Sequence, residues 1–279
     1  MRLSLSTNYF KADTPVAARI DQALSMGFGE LELGYGTTLE EAAEYRRLSG
    51  RIAIGSVHAF APVPISAPSG HPELYAWASP DPEARRIARF NVFKCVDFAA
   101  DMGADTLVLH LGRVPARGFW PWGDKVRARL RHGRRMLETM KAEFAEAMPQ
   151  LEKRRVVLGL ENMPYLEGFP MTDEWSALSE FSAWIKPWFD TGHWRVQECN
   201  RWVGPFLETA YSRLEFAGMH LNDVKDFNDD HFAPGGGKVD FKALKAFMTK
   251  VPHVVFEPKS HVSEQLLRQG VEIINDAIS

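Results

Sequence analysis

The chain has 279 residues with 45% hydrophobic side chains and a formal net charge of −3. It is therefore long enough for one large domain. Its net charge argues against a protein that binds nucleic acid by bulk electrostatics, but it does not exclude a local basic groove. Its only cysteines are Cys95 and Cys199, so we expect neither a disulfide framework nor a zinc site with thiolate ligands. The N-terminus does not resemble a signal peptide, and no apolar run reaches roughly 18 residues. We therefore expect a cytoplasmic protein without membrane spans.

Short β-rich runs alternate with segments of helical periodicity along the whole chain. The predicted strands are residues 2–8, 30–35, 52–59, 106–112, 155–162, 185–190, 216–222 and 253–258. Between them, the segments 15–27, 38–50 and 81–103 repeat apolar residues at a spacing of about 3.6, which is typical of helices. This α/β alternation predicts a single (β/α)8 barrel, the TIM-barrel fold, over residues 1–279.

Glycine and proline mark the expected ends of these helices. Gly27, Gly50 and Gly103 stand where helix C-termini should fall. Asp81 followed by Pro82 resembles a helix start. An open doubly wound sheet is the alternative fold, but it usually has fewer strands at this length and a phosphate-binding loop after the first strand. The residues STNYFKAD, which follow here, do not form such a loop.

Two long connections follow the third and fourth predicted strands. Residues 60–80 and 113–125 are rich in proline, glycine and aromatic side chains. Barrel enzymes build their sites on the loops that leave the carboxyl ends of the strands. We therefore expect these two segments to be walls or lids of a pocket, with surface loops that merely pack on the barrel as the alternative.

Metal-capable side chains sit at or near the carboxyl ends of six predicted strands. They are His58, His110, Glu161, Asp190, His220 and Glu257. Each of them alone could be a hydrogen-bonded core residue or a member of a buried ion pair. Barrel closure, however, brings all these strand ends around one opening, where buried carboxylates need a compensating charge. The pattern predicts a metal site, and imidazole and carboxylate ligands without thiolate suit Zn, Mn, Co, Fe or Mg.

Further polar residues follow the sixth and seventh predicted strands. His193 comes three residues after Asp190, and Asp229 and His231 form an Asp-x-His pair in the next loop. Gly235–Gly237 would let that loop fold back over the mouth and bring its ligands or its backbone N–H groups near a substrate. Four cations are expected on the mouth side, where they could hold a phosphate, steer hydroxyl groups or simply be solvated. They are Arg113, Lys225, Lys238 and Lys259.

These residues lie in short motifs that occur in a characteristic order. The motifs are LELGY, SVHAF, ASPDPEARRIA, LVLHLG, LENMP, FDTGHW, HLNDVKD, DDHFAPGGGKVDF and FEPK. In this order they resemble the xylose isomerase-like TIM barrel superfamily, which holds sugar and sugar-phosphate isomerases and epimerases together with endonuclease IV. The resemblance runs over nearly the whole chain and implies a barrel fold with a metal-dependent site.

The resemblance also implies roles for individual residues. Glu161, Asp190, His220 and Glu257 match the four-ligand metal centre of the epimerases, in which the two glutamates are also the acid/base pair. The histidine that matches His193 contacts the substrate there. Five residues match the further ligands by which endonuclease IV holds three zinc ions. These are His58, His110, His193, Asp229 and His231.

The sequence leaves more than one function open. We interpret the chain as a divalent-metal-dependent isomerase or epimerase of a sugar or sugar phosphate, which works through an enediolate with Glu161 and Glu257 as acid and base. The bound ion would be Mn, Zn, Co or Mg, and Arg113, Lys225 and Lys259 would contact the substrate. The first alternative is a phosphodiesterase of the endonuclease IV type that acts on abasic DNA, although the proline-rich and aromatic loops differ from those expected of that nuclease. A dehydratase or a sugar-binding protein is the second alternative, and assembly into a homo-oligomer stays open.

Overall fold

Eight parallel strands close into a barrel in chain order in the computed structural model, which describes residues 3–65, 67–115, 122–229 and 231–279. The strands are β1 (Leu3–Ser6), β2 (Glu30–Leu33), β3 (Ala53–His58), β4 (Thr106–Leu109), β5 (Val157–Glu161), β6 (Ile185–Asp190), β7 (Gly218–Leu221) and β8 (Val254–Phe256). β1 pairs with both β2 and β8, which closes the ring. All eight predicted strands are confirmed, and most of them are a few residues shorter than predicted.

Helices follow the strands and cover the outside of the barrel. Within the described residues they are α1 (Val16–Ser25), α2 (Leu39–Arg47), α3 (Pro82–Asp101), α4 (Trp122–Arg154), α5 (Thr172–Leu178), α6 (Thr191–Cys199), α7 (Lys245–Met248) and α8 (Glu264–Ile278). This arrangement confirms the predicted (β/α)8 barrel. Across the described part of the chain, none of these helices is both long enough and apolar enough to cross a membrane.

The ends of the first three helices follow from local side-chain chemistry, with one exception to the prediction. The Asp81 carboxylate accepts a hydrogen bond from the backbone of Glu83 at the start of α3. Gly27 and Gly103 have φ angles of 94° and 79° just after α1 and α3, in the left-handed region that glycine adopts without strain. Gly50 does not have a positive φ; α2 already ends at Arg47, and Gly50 lies in the following turn.

The interior of the barrel is filled below the mouth by apolar side chains. Val108, Trp188, Ala217 and Val255 form a buried cluster there. A Cβ on Gly218 would lie 2.4 Å from the Trp188 ring, so the glycine on β7 makes room for the indole on β6. The Trp188 ring lies 5.0 Å from the ring of His220, which makes the indole the floor of the site described below.

Candidate metal centre

The nine predicted ligands come together at the carboxyl end of the barrel. Six of them lie at or next to the ends of β3 to β8, as predicted. They are His58, His110, Glu161, Asp190, His220 and Glu257. The Asp190 carboxylate accepts a hydrogen bond of 2.6 Å from the backbone of His193 and thereby caps α6, which explains why the three-residue spacing brings His193 into the site. The loop after β7 supplies Asp229 and His231.

One four-residue cluster has the arrangement of a metal centre. Glu161, Asp190, His220 and Glu257 each offer one ligand atom, and these atoms all lie within 4.8 Å of one another. The Nδ1 atom of His220 lies 3.2 Å from a Glu257 oxygen, 3.5 Å from a Glu161 oxygen and 3.8 Å from an Asp190 oxygen. All four side chains are buried. Three carboxylates around one imidazole nitrogen are a donor set that a divalent cation satisfies.

Two atoms of this cluster test whether a cation fits. Glu161 Oε1 and His220 Nδ1 are buried, and neither makes a well-aligned hydrogen bond with the described residues, although each has a polar atom 3.2 Å away, on His193 and Glu257 respectively. Leaving such groups unpaired costs about 1–3 kcal/mol each, and more when the group is charged. Both atoms point at the centre of the cluster, so a bound cation would compensate them. The residues fit a divalent ion.

Glu32 supports the cluster from behind and was not predicted from the sequence. The Nε2 atom of His220 lies 3.2 Å from both Glu32 oxygens, and Ser56 donates a 2.9 Å hydrogen bond to the same carboxylate. An Nε2–H that donates to Glu32 leaves the Nδ1 lone pair facing the other carboxylates, which is the tautomer that a metal ligand needs. The only sequence signal is the charge of Glu32 between two leucines on β2, and Glu30 carries the same charge two residues earlier, so the sequence does not single out Glu32.

A second cluster comprises His193, Asp229 and His231, whose ligand atoms also lie within 4.8 Å of one another. His193 Nδ1 lies 2.8 Å from the Asn162 carbonyl oxygen, and His231 Nδ1 lies 2.9 Å from the Glu257 carbonyl oxygen. The Nε2 atoms of both histidines face the Asp229 carboxylate, at 3.5 Å and 3.0 Å respectively. With the Nδ1 atoms as donors, both Nε2 atoms are available to a second cation.

The remaining pair, His58 and His110, faces the other oxygen of Glu161. Their Nε2 atoms lie 3.2 Å and 3.0 Å from Glu161 Oε2, and His58 Nδ1 lies 2.9 Å from the Ala59 carbonyl oxygen. Glu161 therefore has one oxygen in the four-residue cluster and one between these two histidines. A carboxylate in this position can bridge two neighbouring cation sites.

Opposite charges attract one another within the cluster. Burial alone would raise the pKa of the Glu161 carboxyl group, but His110 and His220 outweigh burial and hold this pKa well below its usual range. Burial would likewise lower the pKa of His220, but Glu257 and Glu32 raise it well above its usual value. His220 therefore carries a proton at neutral pH when no cation is bound, and metal binding must release that proton.

The glycine-rich loop after β7 is organised by a buried carboxylate, and of the two alternatives expected for this loop it brings its ligands, and not its glycine N–H groups, to the mouth. Asp223 accepts hydrogen bonds from the backbone N–H groups of Gly235 at 3.0 Å and of Gly237 at 2.9 Å. The same carboxylate accepts two further bonds of 2.9 Å from Val224 and Val239. These glycine N–H groups consequently face Asp223 and not a substrate, although the loop does bring its two ligands to the mouth. A Cβ on Gly237 would lie 2.3 Å from the Val224 carbonyl oxygen, so only glycine fits there.

A cavity of about 500 Å³ opens above the clusters. His71, Pro72 and Glu73 from the segment after β3 line it, as expected of a pocket wall. In the segment after β4, Arg113 lines the cavity, whereas residues 116–121, the aromatic part of this predicted wall, lie outside the described residues.

Only some of the predicted mouth-side cations reach this cavity. Arg113 and Lys259 line it. Lys225 is not among the described lining residues, and its Nζ atom lies 5.0 Å from the centre of the Phe232 ring. Lys238 is likewise absent from that lining and pairs with Asp226 at 2.6 Å. The two lysines of the β7 loop therefore do not add positive charge to the described wall.

The sequence of the chain matches one protein-family model over most of its length. The model described as xylose isomerase-like TIM barrel matches residues 20–277. The chain belongs to this family. No curated protein matches its sequence.

Solved structures share the fold of this xylose isomerase-like barrel at low sequence identity. A D-psicose 3-epimerase from Clostridium cellulolyticum, solved with D-tagatose, is 15% identical over 100% of both chains, with a TM-score of 0.70. An L-ribulose 3-epimerase is 14% identical over 99% of this chain and 94% of its own, also with a TM-score of 0.70. A protein of Thermus thermophilus, solved after soaking with ZnCl2, is 21% identical over 99% and 98% of the two chains, with a TM-score of 0.65.

Proposed function

We propose that this protein is a divalent-metal-dependent isomerase or epimerase that acts on a small sugar. The observation that carries the proposal is the four-residue cluster of Glu161, Asp190, His220 and Glu257 below a cavity of about 500 Å³. Such a cavity has the volume of a small-molecule site. The sugar epimerases among the structures with the same fold support this choice of reaction.

The two glutamates would perform the proton transfers. A divalent ion held by the cluster would polarise neighbouring carbonyl and hydroxyl oxygens of an open-chain sugar and so favour an enediolate. Glu161 ends β5 and Glu257 directly follows β8, so the two carboxylates can approach a substrate carbon from different directions. One of them would take the proton from this carbon, and the other would return a proton, either to the opposite face or to the adjacent carbon.

Asn8 and His193 border the proposed reaction site. Asn8 donates a long hydrogen bond of 3.4 Å to a Glu257 oxygen, and Glu257 is 7% exposed and borders the cavity. His193 also lines the cavity, where it could contact a substrate oxygen.

The ligand atoms of the four-residue cluster are oxygen and nitrogen atoms, without thiolate, and such ligands suit Mn, Zn, Co or Mg.

A phosphodiesterase of the endonuclease IV type is the second candidate. The observation that favours it is the second cluster of His193, Asp229 and His231, together with the two histidines at Glu161 Oε2. Such a set could hold additional ions and clamp a phosphodiester between them. The net charge of −3 and the small cavity favour the sugar reaction over a duplex substrate.

A double variant separates the two candidates. Replacing His110 and His231 with alanine removes ligands outside the four-residue cluster, so a sugar isomerase should retain a tightly bound ion and part of its activity. The wild-type protein should not incise abasic duplex DNA. His132→Ala on α4, outside the cavity, is the control for losing a histidine. Three bound ions per chain together with metal-dependent incision by the wild-type protein would replace the sugar reaction with the phosphodiesterase.

A further inference from the structure

Three side chains from three loops meet on one wall of the cavity. Glu73 follows β3, Arg113 follows β4 and Tyr165 follows β5. Arg113 donates two hydrogen bonds to the Glu73 carboxylate, of 2.8 Å from Nε and 2.6 Å from Nη2. The Tyr165 hydroxyl group donates to the same carboxylate, and the guanidinium carbon lies 3.8 Å above the centre of the Tyr165 ring. We name these three residues the wall triad.

The backbone around the wall triad is fixed in place. Arg113 and Gly168 form an antiparallel bridge between the loops after β4 and β5. Behind it, the buried Arg129 donates to the carbonyl groups of Leu166 at 3.1 Å and of Gly168 at 3.0 Å. The same guanidinium makes two bonds of 2.6 Å to Glu174 at the start of the next helix. The triad is therefore a preformed surface, which limits the entropy that a ligand loses on binding there.

The charges of the wall triad cancel. Burial would raise the pKa of the Glu73 carboxyl group, but its hydrogen bonds to Arg113 and Tyr165 lower it, so the carboxylate is ionised at neutral pH. The Arg113 guanidinium already binds that carboxylate through Nε and Nη2, so a phosphate dianion at this wall would approach a negative charge together with the positive one. The other lysine or arginine of the described lining, Lys259, belongs to the loop after β8 and donates to the Asp229 carbonyl group.

Both members of the ion pair are still accessible from the cavity. The Arg113 side chain is 52% exposed and that of Glu73 is 25% exposed. A sugar hydroxyl group can donate to a carboxylate and accept from a guanidinium N–H at the same time, because it carries one donor and two acceptor lone pairs. A neutral polyol end therefore satisfies both charged groups without adding charge.

We propose that the wall triad of Glu73, Arg113 and Tyr165 is a subsite for hydroxyl groups at the end of the substrate remote from the reaction, and that the substrate is a free sugar and not a phosphate ester. This inference rests on the proposed sugar reaction in the same cavity. Arg113 would then donate hydrogen bonds to substrate hydroxyl groups and would not bind a phosphate group.

Two charge changes of opposite sign test the wall triad. Glu73→Gln leaves the Arg113 charge uncompensated, so binding of a ketohexose 6-phosphate should tighten about tenfold, while binding of the free ketohexose weakens about three- to tenfold. Arg113→Gln leaves the carboxylate uncompensated, so the phosphate ester should bind more weakly still than to the wild-type protein. Calorimetric titration of the metal-loaded proteins with both ligands measures these changes without relying on turnover.

A matched control variant, and the opposite signs of the expected changes in ester affinity, distinguish the subsite from a purely structural effect. Glu83→Gln removes a carboxylate that likewise binds one arginine, Arg86, through two hydrogen bonds of 2.8 Å and 2.6 Å, but on α3 outside the cavity. That variant should leave both affinities unchanged. Damage to the loops would weaken both ligands in both wall variants.

The outcomes of these titrations separate the subsite from the reaction. Opposite shifts for the ester, together with weaker binding of the free sugar to the Glu73→Gln protein, support the triad. Unchanged binding of the free sugar, or ester shifts that are absent or of the same sign in both variants, overturns the triad and leaves the sugar reaction standing. A wild-type, metal-loaded protein that binds no free sugar overturns both proposals.

Discussion

The Glu32 carboxylate should control how tightly the four-residue cluster holds its ion. Glu32→Gln keeps one oxygen that can accept from His220 Nε2, but it removes the negative charge and places an amide NH2 where the carboxylate accepted from His220 and Ser56. A residue that orients a ligating histidine is typically worth 10–100-fold in metal affinity, which is about 1.4–2.7 kcal/mol. Because the amide oxygen can still fix the tautomer, we expect a loss near the lower end of that range.

Competition with a chromophoric chelator measures this loss, and β2 offers a matched control. Glu30 lies two residues earlier on the same strand, accepts a 2.7 Å bond from Ser4 and faces His253 at 3.7 Å. Glu30→Gln therefore repeats the same substitution beside a different histidine, away from the cluster, and should leave the metal affinity unchanged. If the Glu32→Gln protein folds and binds Zn²⁺ or Mn²⁺ as tightly as the wild-type and control proteins, the orienting role of Glu32 is refuted.

Three further changes probe the acid/base pair, the glycine-rich loop and the base of the barrel. Glu257→Gln removes a carboxylate base with little change of shape, so kcat should fall by at least about 10²–10⁴-fold, and a near wild-type kcat would remove Glu257 from the mechanism. Asp223→Asn places an amide against four backbone N–H groups, so urea titration should show a loss of about 3–5 kcal/mol in the free energy of unfolding, and an unchanged midpoint would contradict this. Burial would lower the pKa of His253, but Asp105 and Glu30 raise it to about 9, so these contacts should stabilise the fold fully below pH of about 6.5 and lose their effect as pH rises through about 9. Since Asp105 is 69% exposed, Asp105→Asn should cost at most about 1 kcal/mol at pH of about 6, and a cost that does not shrink above pH of about 9 would count against the pairing.

Much of the site could be predicted because its ligands follow a positional rule. Parallel strands that close into a barrel bring their carboxyl ends together, so metal-capable residues at the ends of six of the eight apolar runs imply a shared site. Asp190 and His193 illustrate this, since a strand end that also caps the next helix places the residue three positions later beside it. The three-residue spacing after a strand end therefore suffices to predict that His193 lies beside Asp190.

The residues that were not predicted lie where periodicity carries little information. Glu32 is inside a strand that contains two glutamates in alternation, and only the three-dimensional register shows that it faces His220. Glu73 lies in a long irregular loop, so its pairing with Arg113 depends on the path of two loops at once. Lys225 is a similar case. Its position after β7 predicts that it lies at the mouth of the barrel, but the sequence does not predict that its side chain points to the Phe232 ring.

Solvent-proton exchange at a sugar carbon is the measurement that tests the proposed function most directly. The metal-loaded protein would be incubated in D2O with a panel of free ketoses and aldoses, and deuterium at the carbons next to the carbonyl group would be followed by NMR. We expect metal-dependent deuterium incorporation into at least one free sugar, its loss on chelation, and its loss in the Glu257→Gln protein. Absence of exchange in every sugar by a fully metal-loaded protein that incises abasic DNA would contradict the proposed sugar reaction.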